Sequence, residues 1–306
     1  MTMPTLLDVA KINGSDDIAG LIDEASKYTP EVGSGYARTI KGINYKTLVR
    51  TALPTAGFRD YNDGVDATKG RYENRLVETF VLNPRWECDK AVADAHEDGA
   101  EAFIALEAEA ILQASMLTLG RQFYYGRGTN GDGKGHPGLI DGYDATNMVV
   151  DAGGSTDGTA TSVWAVKWGP KDVVWVLGKD GNINVDPVRI ADITGQNSKK
   201  LTGYVQELLA YVGVQVGSTR CVGRIKKITE DSTKTLTDKL ISKLLGKFPA
   251  NVVPDALYMT RRSLNQLQES RTATNPTGSP APFPTEAFGI PIVVTESILN
   301  TEKLAS

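Results

Sequence analysis

The chain has 306 residues, 41% hydrophobic and 23% charged, the balance of a soluble globular protein built as one elaborated domain or two. Its net charge of −4 argues against a dedicated nucleic-acid binder, which normally carries a basic footprint. Two cysteines, Cys88 and Cys221, cannot make a disulfide framework, no secretory apolar region precedes them, and no apolar run approaches the roughly 18 residues of a membrane span.

Residues 5–28 read as short helical pieces broken at Gly14 and Gly20, with Ser15-Asp16-Asp17 able to cap the second. They are too punctuated for a core of their own and suit an arm that packs elsewhere. Residues 36–87 are strand-like. Tyr45–Leu53 alternates polar and apolar, Pro54 and Gly57 bend the chain, Asp60–Gly70 is a polar tip with an Asp63-Gly64 turn signal, and Tyr72–Leu82 returns. This is an extended hairpin. A two-stranded ribbon alone is marginal in water, so something must cover it. The pattern leaves open whether that cover is the hairpin's own domain.

A helix is predicted over Ala100–Tyr125. Its apolar face carries Phe103, Leu106, Ala110, Ala114 and Leu117 at spacings of three and four, and Glu97, Asp98 and Glu101 complement the dipole at its start. At 1.5 Å per residue such a helix is roughly 37–40 Å long, a spine for a domain. It stops at the glycine-rich turn Gly126–Gly138. Further strands are expected at Ser162–Trp168, Val173–Leu177, within Tyr204–Ile228, at Asp255–Thr260 and at Phe288–Thr295. Asp186–Lys200 reads as a polar connection. Helices are expected at Thr235–Phe248 and Arg261–Arg271, and Asn275–Pro284 is a proline-rich extended loop.

Chemistry finds little support. Gly128–Lys134 matches GxxxxGK, but Gly135 stands where a phosphate loop needs Ser or Thr, and the run follows a helix rather than a strand. A calcium loop at Asn130–Gly133 would lack the closing bidentate glutamate, so a flexible turn is the simpler reading. His96 is expected in the helix cap and His136 exposed in the loop, and neither has metal-ligand spacing. No GxSxG motif supports a triad, and the carboxylates are scattered. The four tryptophans suit a core. Arg220, Arg224, Lys226 and Lys227 cluster near a strand end as a solvated face, a contact between copies, or a contact to DNA phosphates.

The order of parts is informative. A strand leads through Asp94–Asp98 into the long helix, which ends in Phe123-Tyr124-Tyr125, Gly126, the Gly131-Asp132-Gly133 turn and Gly138-Leu139. This resembles the tailed-phage major capsid proteins of the Hong Kong 97 type. Ser162–Gly169, Tyr204, Val212–Ile228, Phe288–Glu296 and Ile298–Glu302 resemble the epsilon15-like podovirus subgroup. The resemblance implies an α+β fold: an N-terminal arm (1–35), an extended β-hairpin loop (36–81), a peripheral domain with the spine helix (82–140 and 285–306) and an axial domain (141–284).

It also implies a structural protein with no catalytic residue, cofactor or metal. Such subunits form pentamers and hexamers of an icosahedral head around double-stranded DNA, assembled in the host bacterial cytoplasm. The partners would be further copies of the chain, a portal protein, separate scaffolding and decoration proteins, and DNA through weak non-specific contact, with no membrane. Candidate contacts between copies are Phe58, Arg59, Tyr61, Lys69, Arg71, Arg220 and Arg224. Some relatives join subunits through a Lys–Asn bond, and Lys69 lies in the matching region, although no partner Asn or catalytic acid is identified. An encapsulin-type compartment with the same fold, or an α+β enzyme with an unrecognised site, are the alternatives.

Overall fold

The computed structural model of the chain describes residues 29–181, 184–195, 198–273 and 279–304, so the helical pieces expected at 5–28 lie outside the described residues. Pro30 opens a single helical turn, α1 (Pro30–Ser34), at the position where its missing N–H is not needed. β1 (Ala37–Thr39) then pairs in parallel with a later strand, Val173–Leu177. β2 (Asn44–Ala52) and β3 (Arg71–Glu78) form the antiparallel hairpin, with Tyr45 opposite Val77. β4 (Phe80–Leu82) and β5 (Arg85–Asp89) follow. The Asp89 side chain caps α2 (Lys90–Asp94) by accepting from the Ala91 N–H at 2.9 Å.

α3 spans Ala100–Tyr125, the bounds expected from the sequence. Its cap is Gly99 rather than an acid. His96 belongs to the lead-in: its Nδ1 accepts from the Asp98 N–H at 3.2 Å and its ring packs on Phe103. Burial falls on the C-terminal half, at Leu112, Met116, Leu119 and Phe123 to Tyr125, while Leu106 is 59% exposed. The expected face beginning at Phe103 is therefore only partly covered. α3 is also long and apolar enough, by length and composition, to cross a membrane. Its glutamates are spaced widely enough to leave an apolar average that a search for unbroken runs overlooks. Its last turns are core.

After α4 (Leu139–Gly142) come β6 (Val149–Asp151), β7 (Thr161–Val166), β8 (Val173–Leu177), β9 (Asn184–Val185), β10 (Arg189–Thr194), β11 (Lys200–Val216) and β12 (Val222–Ile228). α5 (Asp238–Leu245), β13 (Ala256–Met259), α6 (Arg261–Ala273), β14 (Glu286–Ala287) and β15 (Ile290–Val294) complete the described chain. β10 is a strand where a polar connection was expected. It forms a hairpin with β11, Arg189 standing opposite Val205.

Two sheets enclose the spine. β11 is the axis of the first, pairing along its 17 residues with β10, β5, β9, β4 and β8 in turn, and β1 extends the sheet beyond β8. The second runs in the order β14-β15-β13-β7-β12-β6. The two-residue period of β7 sends Trp164 and Val166 to α3, and Val163 and Ala165 to the opposite face. There Ile241 and Leu244 of α5 and Leu264 and Leu267 of α6 close a second core. At the end of α3, Phe123 stacks on Trp168 and Trp175 at 5.5 and 4.8 Å, and Tyr124 meets Trp164 and Tyr258 at 5.8 and 6.1 Å. Neighbouring helix residues thus engage different sheets.

The division expected at residues 140 and 285 does not follow this hydrogen bonding. β8 to β11 join β4 and β5, and β14 and β15 join β13. The expectation joined 285–306 to 82–140 and kept all of 141–284 in one block, whereas β11 pairs residues 200–216 with β4 and β5 as well as with β8 to β10.

Candidate assembly surface

Among the described residues, the β2–β3 hairpin meets the body only at its root. Val77 packs against Val174 and Val176 of β8, with half-buried Tyr45 beside them. The Tyr45 hydroxyl donates to Gln215 Oε1, and the Thr79 N–H and hydroxyl both donate to the Ile43 carbonyl at 2.8 and 2.9 Å. Beyond the root the apolar side chains Leu48, Leu53, Tyr72 and Leu76 are exposed.

Among the described residues, the tip, residues 53–70, is held only to itself. Thr68 Oγ1 donates to the Thr55 carbonyl at 2.8 Å, the Arg59 guanidinium donates to the Asp63 carbonyl at 2.7 Å, and the Gly64 N–H donates to the Asp63 carboxylate at 2.7 Å. Phe58 and Tyr61 are fully open to solvent at 107% and 101%. With Leu48, Leu53 and Tyr72 they gather exposed apolar side chains on one projection instead of scattering them singly, which is the kind of surface that marks an interaction site. Lys69 and Arg71 are also exposed, so five of the seven expected contact residues sit on this one projection. Arg220 is exposed in the turn between β11 and β12. The partly uncovered half of α3 and Val92 of α2, 56% exposed, add apolar surface.

Arg224 requires a correction. It is 8% exposed and points inward from β12, so it is not part of a free basic face. Its guanidinium donates to Glu302 at 3.0 Å and to the Ser162 hydroxyl at 3.0 Å, and lies 4.8 Å from the Trp164 ring. Glu302, 2% exposed, also accepts from the Tyr125 hydroxyl at 2.5 Å and from Ser162 at 2.7 Å. This buried clasp ties the C-terminal segment to the end of α3 and to the second sheet. Nothing in the local sequence around Arg224 signals it, because Glu302 lies 78 positions away.

The glycine-rich turn is not a flexible loop. Gln122 holds it, its amide donating to the carbonyls of Asp132 and His136 at 3.0 and 2.7 Å while its oxygen accepts the Asp132 N–H at 3.0 Å. Gly126 sits at φ 50°, and a Cβ there would collide with Asp141 and the backbone of Gly138. His136, expected exposed, is 3% exposed against Trp175, and burial pushes its imidazole down to about 4. Among the described residues no group of three or more His, Cys, Asp or Glu side chains could hold a metal ion.

Residues 37–306 match the family described as Major capsid protein GP7. The chain is similar to a solved structure of Bacteriophage Epsilon15 at 20% identity and a TM-score of 0.59, covering 99% of this chain and 97% of that one, which shows a shared fold. A Bacteriophage JBD30 capsid (9% identity, TM-score 0.46, 86% and 88% covered) and a Mycobacterium phage Cain structure (15%, 0.41, 73% and 98%) are weaker likenesses and carry no argument. No curated protein matches. A spine helix between two sheets, an outstretched hairpin and a family match over most of the chain agree: the protein belongs to the major capsid protein GP7 family and is a phage shell protein of the Hong Kong 97-type fold.

Proposed function

We propose that the subunit assembles into pentamers and hexamers of an icosahedral head that encloses double-stranded DNA, and that the β2–β3 hairpin lies across a neighbouring copy. The observation that carries this is the hairpin itself: a ribbon rooted at Tyr45 and Val77, with Phe58 and Tyr61 bare at its tip. Obligate assemblies bury about 2,000–5,000 Å² per interface, and a projection covered by the next subunit contributes to that area in every copy. Closed symmetry then repeats each modest contact many times. Phe58, Arg59, Tyr61, Lys69 and Arg71 are the contact residues on the hairpin, and Arg220 is one on the body.

The hairpin region 36–81 is the extended loop and residues 1–35 the arm. The peripheral domain is the first sheet with α3, and the axial domain is the second sheet with α5 and α6. Its role is structural rather than catalytic. Portal, scaffolding and decoration proteins complete the particle, DNA touches it only weakly, and assembly takes place in the host cytoplasm.

The test is expression of the chain, with a scaffolding protein where one is encoded beside it. The expected result is elution in the void volume and uniform hollow particles by negative-stain microscopy. A monodisperse monomer at every salt concentration, with scaffold present, overturns the reading.

A further inference from the structure

α1 carries a carboxyl group into the core. Thr29, Glu31 and Val32 are all 0% exposed. The segment is gripped on one side by the first sheet: the Trp175 indole N–H donates to the Glu31 carbonyl at 3.0 Å, and the Trp175 backbone N–H donates to the Tyr36 carbonyl at 2.8 Å. On the other side the Glu31 side chain enters between α3 and the C-terminal segment. A Cβ on Gly120 of α3 would collide with both the Glu31 carboxyl and the Ser297 hydroxyl, so glycine at that position makes the room they occupy. The hydroxyls of Ser297, Thr295 and Tyr124 surround the carboxyl. In this geometry neither carboxyl oxygen, nor the Tyr124 hydroxyl, nor Ser297 Oγ closes a hydrogen bond.

Among the described residues, the titratable groups that face Glu31 are Tyr124 from α3 and Tyr258 from β13, both held above the ordinary tyrosine value by burial and so neutral near pH 7. The first sheet presents Trp175, and the C-terminal segment presents only hydroxyls to it. A buried carboxylate without a charged partner gives up its charge rather than its proton. Burial accordingly pushes Glu31 up to about 7.

We propose that Glu31 is a proton-operated latch: its protonated carboxyl seats residues 29–36 between the spine helix and the C-terminal segment, and ionisation loosens that seat. Residues 1–28 leave one end of this segment and the chain runs from the other, through β1, into the hairpin. Under the shell reading, on which this last step rests, proton release frees the parts that reach between copies.

The sign follows from linkage. Once released into water, Glu31 takes the ordinary value of 4.5, while the seated group holds its proton to about 7. Between these values the released form has lost a proton that the seated form keeps. The opening equilibrium therefore rises about tenfold per pH unit from roughly pH 4.5 to 7 and levels off above, about 300-fold in all.

The experiment places a thiol at Val32, buried beside Glu31, and follows maleimide labelling of that peptide by mass spectrometry in the full chain, as subunits and as shells. Val32→Cys is compared with Glu31→Gln/Val32→Cys at each pH, so that the pH dependence of the thiol itself cancels. The expected ratio of labelling rates climbs about tenfold per unit between pH 5 and 7 and is flat above. A ratio that stays constant from pH 5 to 8 overturns the proposal. Hydrogen exchange of wild-type amides 31–40, corrected for intrinsic rate, reads the same equilibrium should the glutamine variant fail to fold. There, protection must fall over the same window while that of β7 holds, and unchanged protection refutes the latch. Labelling of subunits that never form shells still decides it, separately from the assembly reading.

Discussion

Replacing Glu302 by alanine isolates the buried clasp. The carboxylate is 2% exposed and accepts from Tyr125, Ser162 and Arg224 at 2.5, 2.7 and 3.0 Å. Its removal leaves the Arg224 guanidinium, 8% exposed, without a counter-charge, and two hydroxyls without their acceptor. Breaking a buried pair from one side costs about 3–5 kcal/mol, because the orphaned charge stays desolvated. Arg224→Ala is expected to cost a similar amount, since it strands the carboxylate instead. The double variant strands neither, so its cost is expected to fall below the sum of the single ones by about 1–3 kcal/mol. Equilibrium urea unfolding of unassembled subunits at one protein concentration, followed by tryptophan fluorescence, measures all three against wild type. A loss below about 1 kcal/mol for Glu302→Ala, or a double variant as destabilised as the sum of its parts, refutes the idea that the clasp holds the C-terminal segment to the spine.

Replacing residues 55–68 by an Asn-Gly turn is expected to leave subunit unfolding within about 1 kcal/mol of wild type and to abolish hollow particles by negative-stain microscopy, because among the described residues the tip bonds only to itself. Gln122→Leu removes three hydrogen bonds to the glycine-rich turn and is expected to destabilise by about 2–4 kcal/mol in urea titration. His136 is neutral in the fold down to about pH 4, whereas the unfolded chain takes the proton near 6.5. Its contribution is therefore intact above pH 6.5 and lost as pH falls toward 4, by about 3 kcal/mol, and His136→Phe is expected to flatten that limb of the stability–pH curve. Cys221 is 1% exposed with its thiol pushed up by burial to about 12, so at pH 8 iodoacetamide is expected to modify Cys88 in native subunits and Cys221 only after unfolding.

The parts of the fold that announce themselves locally are those whose signal is local. α3 has glycine immediately outside both ends, and β8 is an uninterrupted Val-Val-Trp-Val-Leu, so their bounds can be read directly. β10 escaped because Arg189-Ile-Ala-Asp-Ile-Thr lies at a sheet edge with one inward side chain, Ile193, and so lacks the apolar pattern of a buried strand. His136 escaped because a glycine-rich run looks like solvent-exposed chain, whereas its burial comes from Gln122 and Trp175. Arg224 escaped for the same reason at longer range. The hairpin was legible, since two alternating strands joined by a polar tip are a local signal. That it projects was not, because the pattern left open whether its own domain covers it.

Phe123 and Tyr124, facing different sheets, act on α3 as a key acts in a keyway. The helix cannot roll by even one position without withdrawing an aromatic ring from each wall, so its phase is fixed at the C-terminal end and transmitted rigidly toward Ala100. One extra residue inserted before Leu112 would leave the keyed end undisturbed and turn the first half of α3 through about 100° and 1.5 Å against α2 and β5, which β11 holds to the first sheet. The lead-in to the helix, rather than the aromatic core, would have to give way.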